Sequence, residues 1–229
     1  MKKAELKPTA NQTFELEGRG EYDFAAALER SYRLQDEGRI EEACNERYAA
    51  VQRLMEVLTE DEETILEFGH RNSRAAVELL QASSIDHFLI GDFEMAAALA
   101  ELLLEVDPED HLGHIAFSGF CYVALGEYEL FDEIKGDIAD SQPEKPILAL
   151  WSSFRRTGKL PAGDMKVLRE RFTAVYEEFT ASEHPVDEAF MADENSDSPS
   201  RRTVARRLWL QTEHLWAQDR EFIEALKRA

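Results

Sequence analysis

Cysteine is nearly absent from this sequence. Cys44 and Cys121 stand 77 residues apart with no Cys-x-x-Cys and no companion cluster, a usage that fits a reducing compartment rather than a disulfide framework. Both read as small core residues. No stretch approaches the roughly 18 consecutive apolar residues of a membrane span. The positively charged start, Met1-Lys2-Lys3-Ala4-Glu5-Leu6-Lys7, is followed by no apolar run, so the expected location is cytoplasmic. Gly-x-Gly-x-x-Gly, Walker and Gly-x-Ser-x-Gly motifs are missing, which leaves no phosphate cradle and no nucleophile elbow. The expectation is a chain that is no enzyme and carries no cofactor. Positive charge is also short: 26 Lys+Arg face 47 Asp+Glu, for a net charge of -21. A surface of that sign repels phosphate backbones and anionic lipid, so neither nucleic acid nor membrane is an expected partner.

What is present is apolar content, 44% of 229 residues, enough to bury a core without disulfide or metal staples. Glycine and proline are few, 11 and 7, but their positions mark a repeat. Gly38-Arg39-Ile40, Gly91-Asp92-Phe93, Gly126-Glu127-Tyr128 and Gly158-Lys159-Leu160 each set a glycine two residues before a bulky apolar residue, between segments of helical periodicity. Such a glycine suits a left-handed turn that ends one helix, and the apolar residue anchors the next. Gly91 to Gly126, Phe93 to Tyr128 and Pro108 to Pro143 are all separations of 35. A shared period of this length, with a helix pair per unit, marks a solenoid.

The run from Gly91 to Asp110 resembles the second helix and exit turn of a tetratricopeptide repeat (TPR). In the following unit Gly119, Tyr122, Leu125, Gly126, Tyr128 and Pro143 stand at that family's spacings. Ser84 and His87 replace the usual small glycine and aromatic in the earlier unit. The resemblance is strongest over residues 77–145 and implies an all-α fold, a TPR-like α-solenoid of helix-turn-helix repeats closed by a C-terminal capping helix. The expected organisation is an N-terminal extension over 1–20 with room for disorder, then a single helical domain over 21–229. Within it fall a degenerate repeat at 22–58 with Arg47 at a packing position, repeats at 77–111 and 112–146, and a degenerate pair at 147–180. A loop at 182–200 and the capping helix at 200–228 complete it. An acidic insertion, Thr59 to Thr64, with room for an extra turn of helix, separates the first two units.

In the best unit Phe93, Ala96, Ala97, Ala100, Leu103 and Leu104 follow the spacing of one apolar helix face, widened by Leu99, Leu102 and Val106. Small alanines there let neighbouring helices approach closely. The acid is uneven: residues 1–150 hold 33 acidic and 13 basic residues, the remainder 14 and 13. A field of that asymmetry steers a basic partner to the N-terminal part, although excess Glu also serves solubility alone.

The family resemblance implies a concave groove lined by first helices, here Glu78, Gln81, Ile85, Phe88 and Leu89 in one unit and Ala116, Phe120, Val123 and Ala124 in the next. That groove is apolar with acidic surroundings. It suits a protein or peptide partner, basic or amphipathic, and the whole reads as a non-catalytic interaction scaffold. The insertion or terminal helix could instead fill the groove. Two further readings stand beside it. One is a small-ligand or metal site near His87, His111 and His114, where only His111-Leu112-Gly113-His114 has metal-like spacing and no third ligand follows, while Asp110 suits a helix cap. The other is a self-associating structural protein. The one basic cluster, Arg201, Arg202, Arg206 and Arg207, is expected to fasten the terminal helix to acids of preceding repeats.

Overall fold

A computed structural model describes residues 2–4, 7–8, 14–15, 22–58 and 64–229. Most of the N-terminal extension, and the acidic insertion apart from Thr64, lie outside the described residues. Among the described residues the fold is all-α, with twelve helices and two short strand pairs. None of the helices is long and apolar enough to cross a membrane. In place of the single domain expected over 21–229, the chain gathers into two compact units, Met1–Cys121 and Tyr122–Ala229.

The first unit contains α1 (Phe24–Asp36), α2 (Ile40–Val57), α3 (Arg71–Leu89), α4 (Phe93–Val106) and the start of α5 (Ile115–Leu125). Three residues join α1 to α2 and three join α3 to α4, so each pair is a helical hairpin. Gly91 shows why the hinge needs glycine. Its φ is +82°, a left-handed value that costs other residues, and it lets the Asp92 N–H reach back to the His87 carbonyl at 2.9 Å. The Asp92 carboxylate then caps α4 by accepting from Met95 N at 3.3 Å. Gly38, Gly126 and Gly158 share the same positive φ.

Helix α3 is the centre of this unit and packs against α1, α2 and α4. Ala96 and Ala100, fully buried, remove the bulk that would hold α4 away from α3. Phe24, Leu28, Leu54, Val77, Leu80, Leu99 and Leu103 belong to one continuous core. The start of α1 is tied down from α3: Ala25 N donates to Asn72 Oδ1 at 3.1 Å, and Asn72 Nδ2 donates to the Tyr22 carbonyl at 3.2 Å. Where an extra helical turn is expected, Thr64–Leu66 is instead an extended strand, β4, paired in parallel with β1 (Lys2–Ala4). Buried Leu66 anchors β4 in the core, and Thr64 and Ile65 are β-branched, which favours strand over helix. A second pair joins β2 (Lys7–Pro8) to β3 (Phe14–Glu15).

The second unit holds the end of α5 and then α6 (Tyr128–Ile134), α7 (Glu144–Thr157), α8 (Ala162–Arg171), α9 (Thr173–Thr180), α10 (Glu188–Glu194), α11 (Arg201–Gln218) and α12 (Arg220–Arg228). Trp151, Phe179, Trp216 and Phe222 build its core through edge and tilted ring contacts. Three expectations are corrected here. The loop at 182–200 contains α10, started by Asp187 accepting from Phe190 N at 2.8 Å. The capping helix is two helices, because Asp219 leaves helical geometry while its carboxylate accepts from Trp151 Nε1 at 2.8 Å. The last helix of the degenerate pair is likewise broken at Phe172 into α8 and α9. Arg206 pairs as expected with an acid of the preceding pair, Glu178 of α9, whereas Arg207 pairs with Glu194 of α10, outside the repeats.

Candidate functional site

Helix α3 turns one face inward and one outward. Val77, Leu80, Ser84 and Phe88 are buried, whereas Glu78, Gln81, Ile85 and Leu89 fall three and four residues apart on a face that is half-buried to exposed. At the end of this stripe the side chains are large and apolar: Ile85, Leu89 and Ile90 are 36%, 52% and 78% exposed. Tyr32 on α1 is 47% exposed. Partial burial and the Glu78 carboxylate both push its hydroxyl pKa up, with Arg47 opposing. Tyr32, Ile85 and Leu89 thus lie on the first helices of two successive hairpins, and Ile90 directly follows the second of them.

Beneath that face lies a buried ionic network. The Arg47 guanidinium donates to both Asp86 oxygens, at 2.8 and 3.1 Å, to Ser31 Oγ at 3.3 Å and to Gln35 Oε1. It thereby ties α2 to α1 and α3 and lies 5.9 Å from the Tyr32 ring centroid. Both Asp86 contacts come from Nη1, while Nε and Nη2 are taken by Ser31 and Gln35, so all three guanidinium nitrogens are engaged. This is why an arginine is tolerated at a packing position of α2. Burial, and next the adjacent Asp86 carboxylate, raise the Cys44 thiol pKa, so it is held as the unreactive thiol.

The residues expected to line a groove divide between exposed and buried positions. Glu78, Gln81, Ile85 and Leu89 share the outward stripe. Phe88 is 3% exposed, because its ring packs edge-on to Phe93 at 5.5 Å and tilted on Phe117 at 4.9 Å. Ala116 and Phe120 are buried as well, so neither they nor Phe88 offer a surface to a partner. Val123 and Ala124 belong to the second unit, where Val123 is buried and Ala124 half-buried. Aromatic residues at the spacing of a groove lining here complete a core. Tyr32, Ile90 and the Arg47–Asp86 pair were not anticipated as parts of a site. Ile90, a large apolar residue directly before the Gly91 hinge, was the available signal.

The histidines are drawn to different partners. His87 Nδ1 meets Asp92 Oδ2 at 3.0 Å, and His111 Nδ1 meets Asp107 Oδ1 at 2.6 Å while its ring stacks on Phe68. The Asp107 hydrogen bond raises the His111 pKa. His114 is buried, with Nε2 3.0 Å from Ser84 Oγ and its ring stacked on Phe117; burial pulls its pKa down to about 4. Asp110, itself at a left-handed φ of 49°, caps the start of α5 by accepting from His114 N and Ile115 N. Among the described residues no group of three or more His, Cys, Asp or Glu side chains is arranged to hold a metal ion.

Comparison with protein-family models, with curated proteins and with solved structures returns no match.

Proposed function

We propose that the first unit is a non-catalytic, TPR-like protein-interaction module that docks a basic amphipathic peptide or helix on the outward face of α1 and α3. The observation that carries this reading is the exposure of four large apolar side chains, Tyr32 on α1 and Ile85, Leu89 and Ile90 at the end of α3, in a unit with 26 acidic and 11 basic residues, net -15. Exposed apolar side chains in an acidic unit suit an amphipathic segment, with apolar anchors one or two turns apart and lysine or arginine at the flanks. The charge raises the on-rate of such a partner in a salt-dependent way. Helical hairpins hinged at left-handed glycines, two of them 35 residues apart, support the repeat architecture.

Selection of peptides from a random display library on the full chain tests this. Enriched sequences should carry net positive charge and paired apolar residues. Their affinity should fall more than about tenfold on an Ile85→Glu/Leu89→Glu variant of unchanged helicity, since two anchors are lost. No enrichment, or equal binding to the variant, would overturn the proposal.

A further inference from the structure

The second unit holds a cleft of about 600 Å³, within the size range of small-molecule sites. Phe172 and Val175 at the start of α9, Val204 in the first turn of α11, and Pro143 and Pro199 give it an apolar floor. Two guanidinium groups stand among the residues around that floor. Arg171 lies 5.8 Å from the Phe172 ring centroid and donates to the Asp140 carbonyl at 3.3 Å, leaving most of its donors unused. Arg201 is exposed and makes no ion pair among the described residues.

Carboxylates are present as well, and most are already engaged. Asp140 is held by Lys145 Nζ at 2.7 Å, and that contact keeps its carboxyl below the usual range. Glu170 faces Lys166 at 4.0 Å. That leaves Glu177 as the carboxylate without a cation partner among the described residues lining the cleft. Two positive groups thus face one negative group across an apolar floor.

The geometry points to a binding site for a carboxylate carried on an apolar body, of the chemical class of a medium-chain fatty acid. The planar fork of an arginine matches a carboxylate with two parallel hydrogen bonds, and Phe172, Val175 and Val204 take the hydrocarbon. A monoanion meets half the repulsion from Glu177 that a dianionic phosphate would. This site is independent of the docking face on α3.

Calorimetric titration of the full chain with sodium octanoate tests the assignment, with 1-octanol as the neutral counterpart and inorganic phosphate as an anion without a tail. Octanoate should bind saturably, and octanol at least about tenfold more weakly, the loss of one charge-assisted contact. Arg201→Gln, at an exposed position, should weaken octanoate about tenfold while leaving octanol unchanged. Val204→Asp should weaken both, with the thermal midpoint recorded to confirm that each variant folds. Absence of saturable octanoate binding, octanol binding as tightly as octanoate, or indifference to Arg201→Gln would each overturn the assignment. Phosphate binding as tightly as octanoate would overturn it too, because the apolar floor would then contribute nothing.

Discussion

Replacing Asp86 by Asn isolates the charge on which the centre of the first unit depends. The side chain keeps its shape, so packing of α3 is unchanged, but Arg47 is left 5% exposed with no carboxylate. Removing one partner of a buried pair leaves an uncompensated charge and costs ~3–5 kcal/mol. Ser31 Oγ and Gln35 Oε1 still accept from Arg47, and Asp86 is not fully buried, so the lower end of that range applies. In a chain of this length that is a fall in Tm of roughly 6–12 °C. Urea unfolding followed by circular dichroism measures it, and Arg47→Met with the double variant completes a mutant cycle. The double variant should be more stable than Asp86→Asn alone, because no buried charge remains. A loss under about 1 kcal/mol for Asp86→Asn, or a double variant worse than both singles, would refute the network's role.

Stability of the first unit should fall as pH drops from about 6.5 toward 4. His114 has a folded pKa of about 4, below its unfolded value near 6.5, so in that window the unfolded chain holds the extra proton. The full effect is about 3 kcal/mol, and His114→Phe should flatten this part of the pH profile relative to the parent. His111 works in the opposite sense: its raised pKa adds stability at low pH that is lost as pH rises through the folded value, so His111→Gln should steepen the fall on acidification. Leu103→Ala, at a fully buried position between α3 and α4, should cost ~2–5 kcal/mol in urea unfolding, and a cost below 1 kcal/mol would contradict the packing described. Arg206→Glu should lower the midpoint of the second unit's transition by roughly 10 °C, since it sets a second carboxylate against buried Glu178, already bonded to His184 Nδ1 at 2.6 Å. An unchanged midpoint would mean that Arg206 fastens nothing.

Helices were legible in the sequence wherever punctuation and periodicity agreed. The four Gly-x-apolar hinges fall where left-handed glycines end helices, and the apolar face of α4 is the one buried against α3. Asp110 caps α5 as its position before an apolar run suggested. The failures have a common cause: interactions between residues far apart in sequence. Asp219 breaks the terminal helix while accepting a hydrogen bond from Trp151, 68 residues away, and no local pattern announces that partner. Thr64–Leu66 is a strand because it pairs with Lys2–Ala4. On the candidate site, Glu78, Gln81, Ile85 and Leu89 could be placed on one face from spacing alone. Phe88 and Phe120 could not be told from surface residues, because an aromatic on a first helix serves a groove or a core equally well. Arg47 read as a flaw in the repeat until Asp86, 39 residues on, supplied its partner.

Hydrogen–deuterium exchange of the full chain, with and without a saturating basic amphipathic peptide taken from the display selection, bears most directly on the proposed module. Protection should rise in amides of residues 29–36 and 78–91, with the second unit unchanged, and should vanish for the Ile85→Glu/Leu89→Glu variant. Protection confined to other helices, or a footprint that survives both substitutions, would contradict the docking face.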